Sequence, residues 1–290
     1  MKPVTPQLNA TRLRLAYDGR VVVDDLDLSV PAGRISVIIG ANACGKSTLL
    51  RALARLLVPR GGAVHLDGRS IHTMPTRQVA QYLGILPQSP VAPEGLTVAD
   101  LVHQGRAPHQ TWWRQWSAAD QQEVNRALAA TGMLEHADRP LDQLSGGQRQ
   151  RAWIAMAVAQ GTPILLLDEP TTYLDLAHQI DVLDLVVDLN RQERRTVVMV
   201  LHDLNQACRY ADHVVVMKAG QIVAEGVPAG IVTAELVQDV FGLRCTVTAD
   251  PISGTPLIVP IGRHHDGQAG WPVRPAQPDP GTAGAAARGT

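Results

Sequence analysis

The chain has 290 residues, of which 45% are hydrophobic and 18% charged, with a formal net charge of −1 and an isoelectric point near 6.8. That length suits one large domain or one domain with an inserted lobe, and the near-neutral balance offers no global basic field for nucleic acid. No apolar signal core follows Met-Lys-Pro-Val-Thr-Pro, and no apolar run approaches the ~20 residues of a membrane helix; the expectation is a soluble intracellular protein whose scattered cysteines, Cys44, Cys208 and Cys245, stay reduced.

Residues 8–30 read as β structure. Leu13 and Leu15 alternate with Arg12 and Arg14, and Leu26, Leu28 and Val30 alternate with Asp25, Asp27 and Ser29, the pattern of half-buried antiparallel strands. Tyr17 falls between the two segments in a chain with one Phe and four Tyr. Its ring can stack on an adenine or serve as an ordinary strand aromatic. Pro31-Ala32-Gly33 then turns the chain into the apolar run Val37-Ile38-Ile39.

Gly40-x-x-x-x-Gly45-Lys46-Ser47 follows, between that run and an apolar-periodic segment (Leu49, Leu50, Leu53, Leu56, Leu57). This is the phosphate-binding loop in its strand–loop–helix setting. Backbone N–H groups and a helix N-terminus make a concave anion site there. Lys46 is expected on the β- and γ-phosphates and Ser47 on Mg²⁺. The chain holds only three lysines, Lys2, Lys46 and Lys218, which argues against an accidental glycine-rich turn, because a compact ammonium suits a phosphate cradle where a guanidinium does not. If position 43 needs a positive φ, Ala43 costs about 1 kcal/mol or more. Cys44 reads as a small packing residue or an alkylation-sensitive thiol.

Gly61 to Gly68 looks like a short strand ending in a turn, and Gln88 follows the apolar run Leu83, Ile85, Leu86. Gln88 can contact metal or attacking water, or simply be solvated. Between 95 and 160, Val98, Leu101, Val102, Val124, Leu128, Met133 and Leu134 are helically spaced, the signature of an inserted helical lobe. The lobe carries Trp112-Trp113-Arg114-Gln115-Trp116, either core or a docking patch. Leu144-Ser145-Gly146-Gly147-Gln148 follows, with Ser145 as N-cap of a helix running through Ile154, Met156 and Val158. Ser-Gly-Gly at a helix start is a second anion site, 105 residues beyond the first (145 − 40). One loop already serves one triphosphate, so the second points to a site completed between two subunits.

Ile164 to Leu167 is a continuous apolar run ending in Asp168-Glu169-Pro170. A strand buried on both faces delivers carboxylates to the ligand crevice of a doubly wound sheet. Asp168 can hold Mg²⁺ through water and Glu169 can polarise the attacking water. Thr196 to Leu201 is a second such strand, ending in His202-Asp203, and His213 to Ala224 reads as a hairpin. From Arg263 onward Gly, Pro and Ala dominate, the composition of a disordered tail.

Gly40–Thr48, Gln88, Leu144–Gln148, Ile164–Glu169, Leu174-Asp175 and His202 stand in the order and setting of an ATP-binding cassette subunit, and the chain resembles that family over about residues 8–245. The Leu-Ser-Gly-Gly-Gln pentapeptide is highly specific to it. The resemblance implies an α/β fold: a P-loop NTPase core, doubly wound, with an N-terminal antiparallel β subdomain and an α-helical subdomain inserted at about 89–160. Residues 246–262 would form a C-terminal extension and 263–290 the tail. By resemblance Tyr17 stacks on adenine. Gly40, Asn42, Cys44, Gly45, Lys46, Ser47 and Thr48 form the Walker A loop, and Asp168 with Glu169 supplies Walker B and the catalytic carboxylate. Gln88 is the Q-loop glutamine, Asp175 the D-loop aspartate and His202 the switch histidine; Ser47, Gln88 and Asp168 are the expected metal contacts.

Residues 105–117, 147–157 and 170–179 look like the ferric-siderophore importer subgroup, close to the ferric-enterobactin type, and Tyr173 departs from the Ser-Ala-Leu-Asp of other cassettes. The implied scheme is a head-to-tail homodimer holding ATP and Mg²⁺ between Walker A of one copy and Ser145–Gln148 of the other. The dimer would work on two integral-membrane permease subunits at the cytoplasmic face of the membrane, supplied by an extracytoplasmic siderophore-binding protein, with no nucleic-acid partner. Cobalamin, haem or metal-ion import is the alternative, and a soluble cassette acting on DNA or ribosomes is the rival class.

Overall fold

The computed structural model describes residues 6–110 and 116–262. Trp112 and Trp113 of the tryptophan cluster and the tail from 263 lie outside the described residues; Trp116 stands half-exposed with its ring edge-on to His103, centroids 4.7 Å apart.

The central sheet has the strand order β10-β9-β3-β8-β7-β6. Its parallel members are β3 (Ile35–Gly40), β6 (Leu83–Leu86), β7 (Ile164–Asp168), β8 (Thr196–Val200) and β9 (His213–Lys218). β10 (Gln221–Gly226) closes one edge antiparallel to β9. Every residue of β3, β7 and β8 is buried, because helices cover one face and a second sheet the other. Side chains alternate between two apolar clusters, as the two-residue period of a strand requires. Val37, Leu165, Leu167, Val197 and Met199 enter one. Ile38, Leu166, Val198 and Val200 enter the other.

The first face packs against the helical lobe, α3 (Val98–Gln104), α4 (Ala118–Ala130) and α5 (Gly146–Ala159), and against α6 (Leu176–Glu193). The second packs against α1 (Lys46–Leu53) and a four-stranded antiparallel sheet in the order β2-β1-β4-β5. That sheet comprises β1 (Leu8–Tyr17), β2 (Arg20–Val30), β4 (Gly61–Leu66) and β5 (Arg69–Ser70). The alternation expected over 8–30 is present: Leu13, Leu15, Leu26, Leu28 and Val30 are buried. Asp18 (φ 46°) and Gly19 (φ 84°) make the two-residue turn between β1 and β2, which requires positive φ at both positions. The short α2 (Thr76–Ala80) leads into β6.

Each lobe helix opens on a reciprocal capping box, Thr97 with Asp100, Ser117 with Asp120 and Ser145 with Gln148, which satisfies N–H groups the first turn leaves free. Val98, Leu101, Val102, Val124, Leu128 and Met133 are buried as expected; Leu134 is not, because the helical spacing stops at Thr131 and a 3₁₀ turn carries Leu134 outward. Asp120 also pairs with Arg106, and both side chains are under 10% exposed.

α7 (Leu204–Tyr210) lies between β8 and β9, and after β10 come α8 (Pro228–Ile231), α9 (Ala234–Phe241) and a hairpin of β11 (Cys245–Ala249) and β12 (Pro256–Pro260). The expected boundary at 245 therefore falls at the first residue of β11. Cys208, Val232, Val237, Cys245 and Ile258 form a small apolar cluster beneath the hairpin. Asp250 at the hairpin turn pairs with Arg209 of α7. That guanidinium, with the backbone N–H groups of Ile252 and Ser253, holds the Asp250 carboxyl down at about 2. A depressed carboxyl stabilises fully above its ordinary value and loses that contribution as pH falls through the folded value. Asp250→Asn should therefore lower the urea midpoint at pH 7, with the gap to the parent narrowing between about pH 4 and pH 2; a gap unchanged over that range would exclude charge linkage as its cause.

Candidate functional site

Parallel registry brings the C-terminal ends of four strands together: Leu86 opposite Leu167, Asp168 opposite Val200, and Ile38 opposite Val200. The phosphate loop, Gln88, Glu169 and His202 all leave from those ends, where an open parallel sheet has its crevice. A cavity of about 820 Å³ opens there, a size that suits a nucleotide triphosphate. Asn42, Gly45, Lys46, Ser47 and Thr48 form its floor. Gln88, Glu169 and His202 form one wall, and Tyr17, 40% exposed at the end of β1, stands at the mouth. Arg20 and Val22, across the turn from Tyr17, line the same mouth; the sequence reading passed over them because an alternating strand pattern gives no sign of which turn residues meet a ligand.

The loop's backbone is bent at cost. Gly45, the residue before α1, has φ 107° and supplies no side-chain cap, so the first-turn N–H groups are left for an anion. Ala43 takes φ 60°, the left-handed conformation expected to cost about 1 kcal/mol there. Lys46 is buried, and its Nζ donates to the Gly40 and Ala41 carbonyls at 2.9 and 3.0 Å. The Cys44 side chain turns away from the cavity into the apolar cluster beneath α1, and burial pushes its thiol up against the lowering influence of Lys46. That is the packing role of the two readings of this residue.

The carboxylates at the end of β7 have different surroundings. Ser47 Oγ donates to Asp168 Oδ1 at 2.8 Å. Burial pushes the Asp168 carboxyl up, the charge of Glu169 adds to the push, and the Ser47 hydrogen bond opposes it. Glu169, 7% exposed with φ 54°, leaves the strand in a conformation that non-glycine residues seldom adopt outside functional sites. Its carboxylate accepts from Gln88 Nε2 at 2.6 Å and Thr172 Oγ1 at 3.1 Å, and His202 Nε2 stands 2.6 Å from Oε1. Thr172, three residues past Glu169 and inside the 170–179 run, carries no sequence signal of its own for this contact.

Ser47 and Asp168 put hydroxyl and carboxylate oxygens side by side, the hard donors Mg²⁺ takes. Among the described residues no group of three His, Cys, Asp or Glu forms a metal cage. Mg²⁺ here fits as an ion sharing its shell with substrate phosphates and water, its usual mode.

Ser145, Gly146, Gly147, Gln148 and Asp175 do not reach this cavity. Ser145 is exposed as the N-cap of α5, accepting from Gln148 N at 3.2 Å, while Ser145 N donates to Gln148 Oε1 at 3.1 Å. Asp175 caps α6, accepting from His178 N at 3.0 Å. Beside them Tyr173 and Leu176 are 91% and 69% exposed. The two helix starts of one chain thus open on different surfaces.

The ABC transporter family model matches residues 23–172. The petrobactin import ATP-binding protein FpuD of Bacillus anthracis is 57% identical over 88% of this chain and 94% of its own length. The ferric enterobactin transport ATP-binding protein FepC of Escherichia coli (strain K12) is 51% identical over 89% and 95%. Among solved structures, a chain described as an inward-facing ABC transporter of metal-chelate type superposes with a TM-score of 0.78 at 30% identity, covering 90% of this chain and 99% of its own.

Ala43→Gly should raise the unfolding free energy of the nucleotide-free protein by about 1 kcal/mol by releasing the left-handed alanine. Denaturant unfolding measures it; an unchanged or lowered midpoint would mean that the loop carries no strain at that position.

Proposed function

The chain belongs to the ATP-binding subunits of ABC transporters, and from that membership we propose that it energises the import of iron(III)–siderophore complexes. It is an ATPase that serves a membrane transporter. Among the described residues no helix is long and apolar enough to cross a membrane, so translocation falls to permease subunits. In this reading two copies pair head to tail at the cytoplasmic face of the membrane against two permease subunits, and an extracytoplasmic binding protein delivers the cargo. The likeness to the petrobactin and ferric enterobactin subunits supports the cargo class.

The observation that carries the pairing is the split site. One cavity holds Lys46, Ser47, Glu169 and His202, while the Ser145–Gly147 helix start faces elsewhere. A partner's helix start laid over the cavity supplies N–H groups and dipole to the γ-phosphate. Lys46 exchanges the Gly40 and Ala41 carbonyls for phosphate oxygens. Glu169 orients a water in line with the γ-phosphorus and takes its proton as the new P–O bond forms and the bond to ADP breaks. Gln88 and His202 hold that carboxylate in place. Mg²⁺, held by Ser47 and Asp168 with Gln88 alongside, neutralises phosphate charge when bound. Closure of the pair moves the helical lobes against the permeases; charge repulsion between the products reopens it.

Glu169→Gln should keep ATP binding, lose hydrolysis by at least about 100-fold, and accumulate an ATP-dependent dimer visible in sedimentation; an unchanged rate would remove Glu169 as the base. Lys46→Ala should abolish nucleotide binding by titration calorimetry. In proteoliposomes with the permease pair and binding protein, ATP should drive uptake of ferric siderophore and not of cobalamin; the reverse preference would overturn the cargo assignment.

A further inference from the structure

The run Pro170–Gln179 ends in two residues, His178 and Gln179, that the reaction above does not use. Each makes a specific tie. Gln179 Nε2 donates to the Leu174 carbonyl at 2.9 Å, and Gln179 Oε1 accepts from Gln206 Nε2 at 2.6 Å. Gln206 is 8% exposed on α7, and its backbone N–H donates to Asp203 Oδ1 at 2.8 Å. Asp203 follows His202, which meets Glu169, and Glu169 accepts from Thr172, two residues before Leu174. The contacts close a ring: Glu169, His202-Asp203, Gln206, Gln179, Leu174, Thr172 and back to Glu169.

His178 ties this ring to the other half-site. Its Nδ1–H donates to Asp175 Oδ1 at 2.6 Å. Its ring lies against Gly147: a Cβ at that position would stand 2.4 Å from His178 Cδ2 and 2.8 Å from Cγ. Only glycine admits the ring at that distance, so the start of α5 and the start of α6 are held as one body.

We propose that Gln179 and His178 are positioning residues that couple the two half-sites of one chain. This rests on the head-to-tail reading, in which a chain's Glu169 and His202 serve one ATP while its Ser145–Gly147 serve the other. A shift of His202 and Glu169 on binding or losing the γ-phosphate moves α7 and Gln206. Gln179 passes that displacement to the Leu174–Asp175 segment, and His178 passes it to the start of α5. The occupancy of one site thereby sets the placement of the helix start at the second, and hydrolysis is cooperative between the two.

The test is steady-state ATPase of the full chain in complex with its permease subunits, as a function of ATP. The unsubstituted protein should be sigmoidal, with a Hill coefficient approaching about 2, the number of sites. Gln179→Leu removes both hydrogen bonds of the side chain. It should bring the coefficient to about 1 and lower kcat roughly tenfold to a hundredfold through misplacement of the helix start. Nucleotide affinity of the isolated chain should stay within about twofold, since the cavity is untouched. His178→Ala should behave alike, whereas His178→Asn, whose amide can stand where Nδ1–H stands, should restore cooperativity. A role confined to stability would lower the melting temperature and leave the coefficient alone. Retention of the parental coefficient by Gln179→Leu and His178→Ala, or a non-cooperative parent, overturns the coupling. The head-to-tail reading fails separately, when Ser145→Arg in both copies leaves hydrolysis intact.

Discussion

A carboxylate withdrawn from water at the end of a wholly buried strand costs free energy unless hydrogen-bond donors meet it. Glu169 receives them from Gln88 and Thr172, with His202 Nε2 standing 2.6 Å away just past the neighbouring strand. Everything that arranges those donors follows from this need. The sheet sets the ends of β6, β7 and β8 level, and the left-handed turn at Glu169 swings the side chain off the strand line into the crevice. In the proposed reading, water activation and the tie to the Leu174–Asp175 segment then share one group.

The second dependence is on helix starts. Two of them, at Lys46 and Gly146, are finished in opposite ways. Before α1 a glycine leaves the N–H groups uncapped inside a cavity. Before α5 a capping box satisfies part of the turn from within, and the remainder is exposed beside Tyr173 and Leu176. A free helix start costs little in water and is worth much more when a phosphate is pressed against it out of water. In the proposed pairing such a site acts when a partner surface closes over it.

Ala43, Glu169 and Tyr173 are three of the ten described non-glycine residues with positive φ, and none of the ten lies in α3, α4 or α5. The capping boxes of the lobe and the buried Arg106–Asp120 pair are ordinary satisfaction of polar groups. The lobe is thus a body whose polar groups are satisfied and whose helices hold no left-handed residue.

The residues themselves determined whatever depends on neighbours in the chain. The phosphate loop, the acidic pair ending an apolar run and the Ser-Gly-Gly helix start are contiguous, so their chemistry and local geometry were legible, as were the strands from their two-residue alternation. Periodicity misled at Leu134, which shares the spacing of its neighbours but lies past the helix end. Only the tertiary structure decided that Thr172 joins Gln88 and His202 on one carboxylate, that Cys44 turns inward, and that Gln179 meets Gln206 while His178 fills the space above Gly147. Apart from Thr172, three residues from Glu169, these contacts join side chains far apart in the chain, and their distances are set by strand register and helix docking. No local pattern carries that information, because hydrogen bonds reach about 3 Å and the packing of the whole core places their ends.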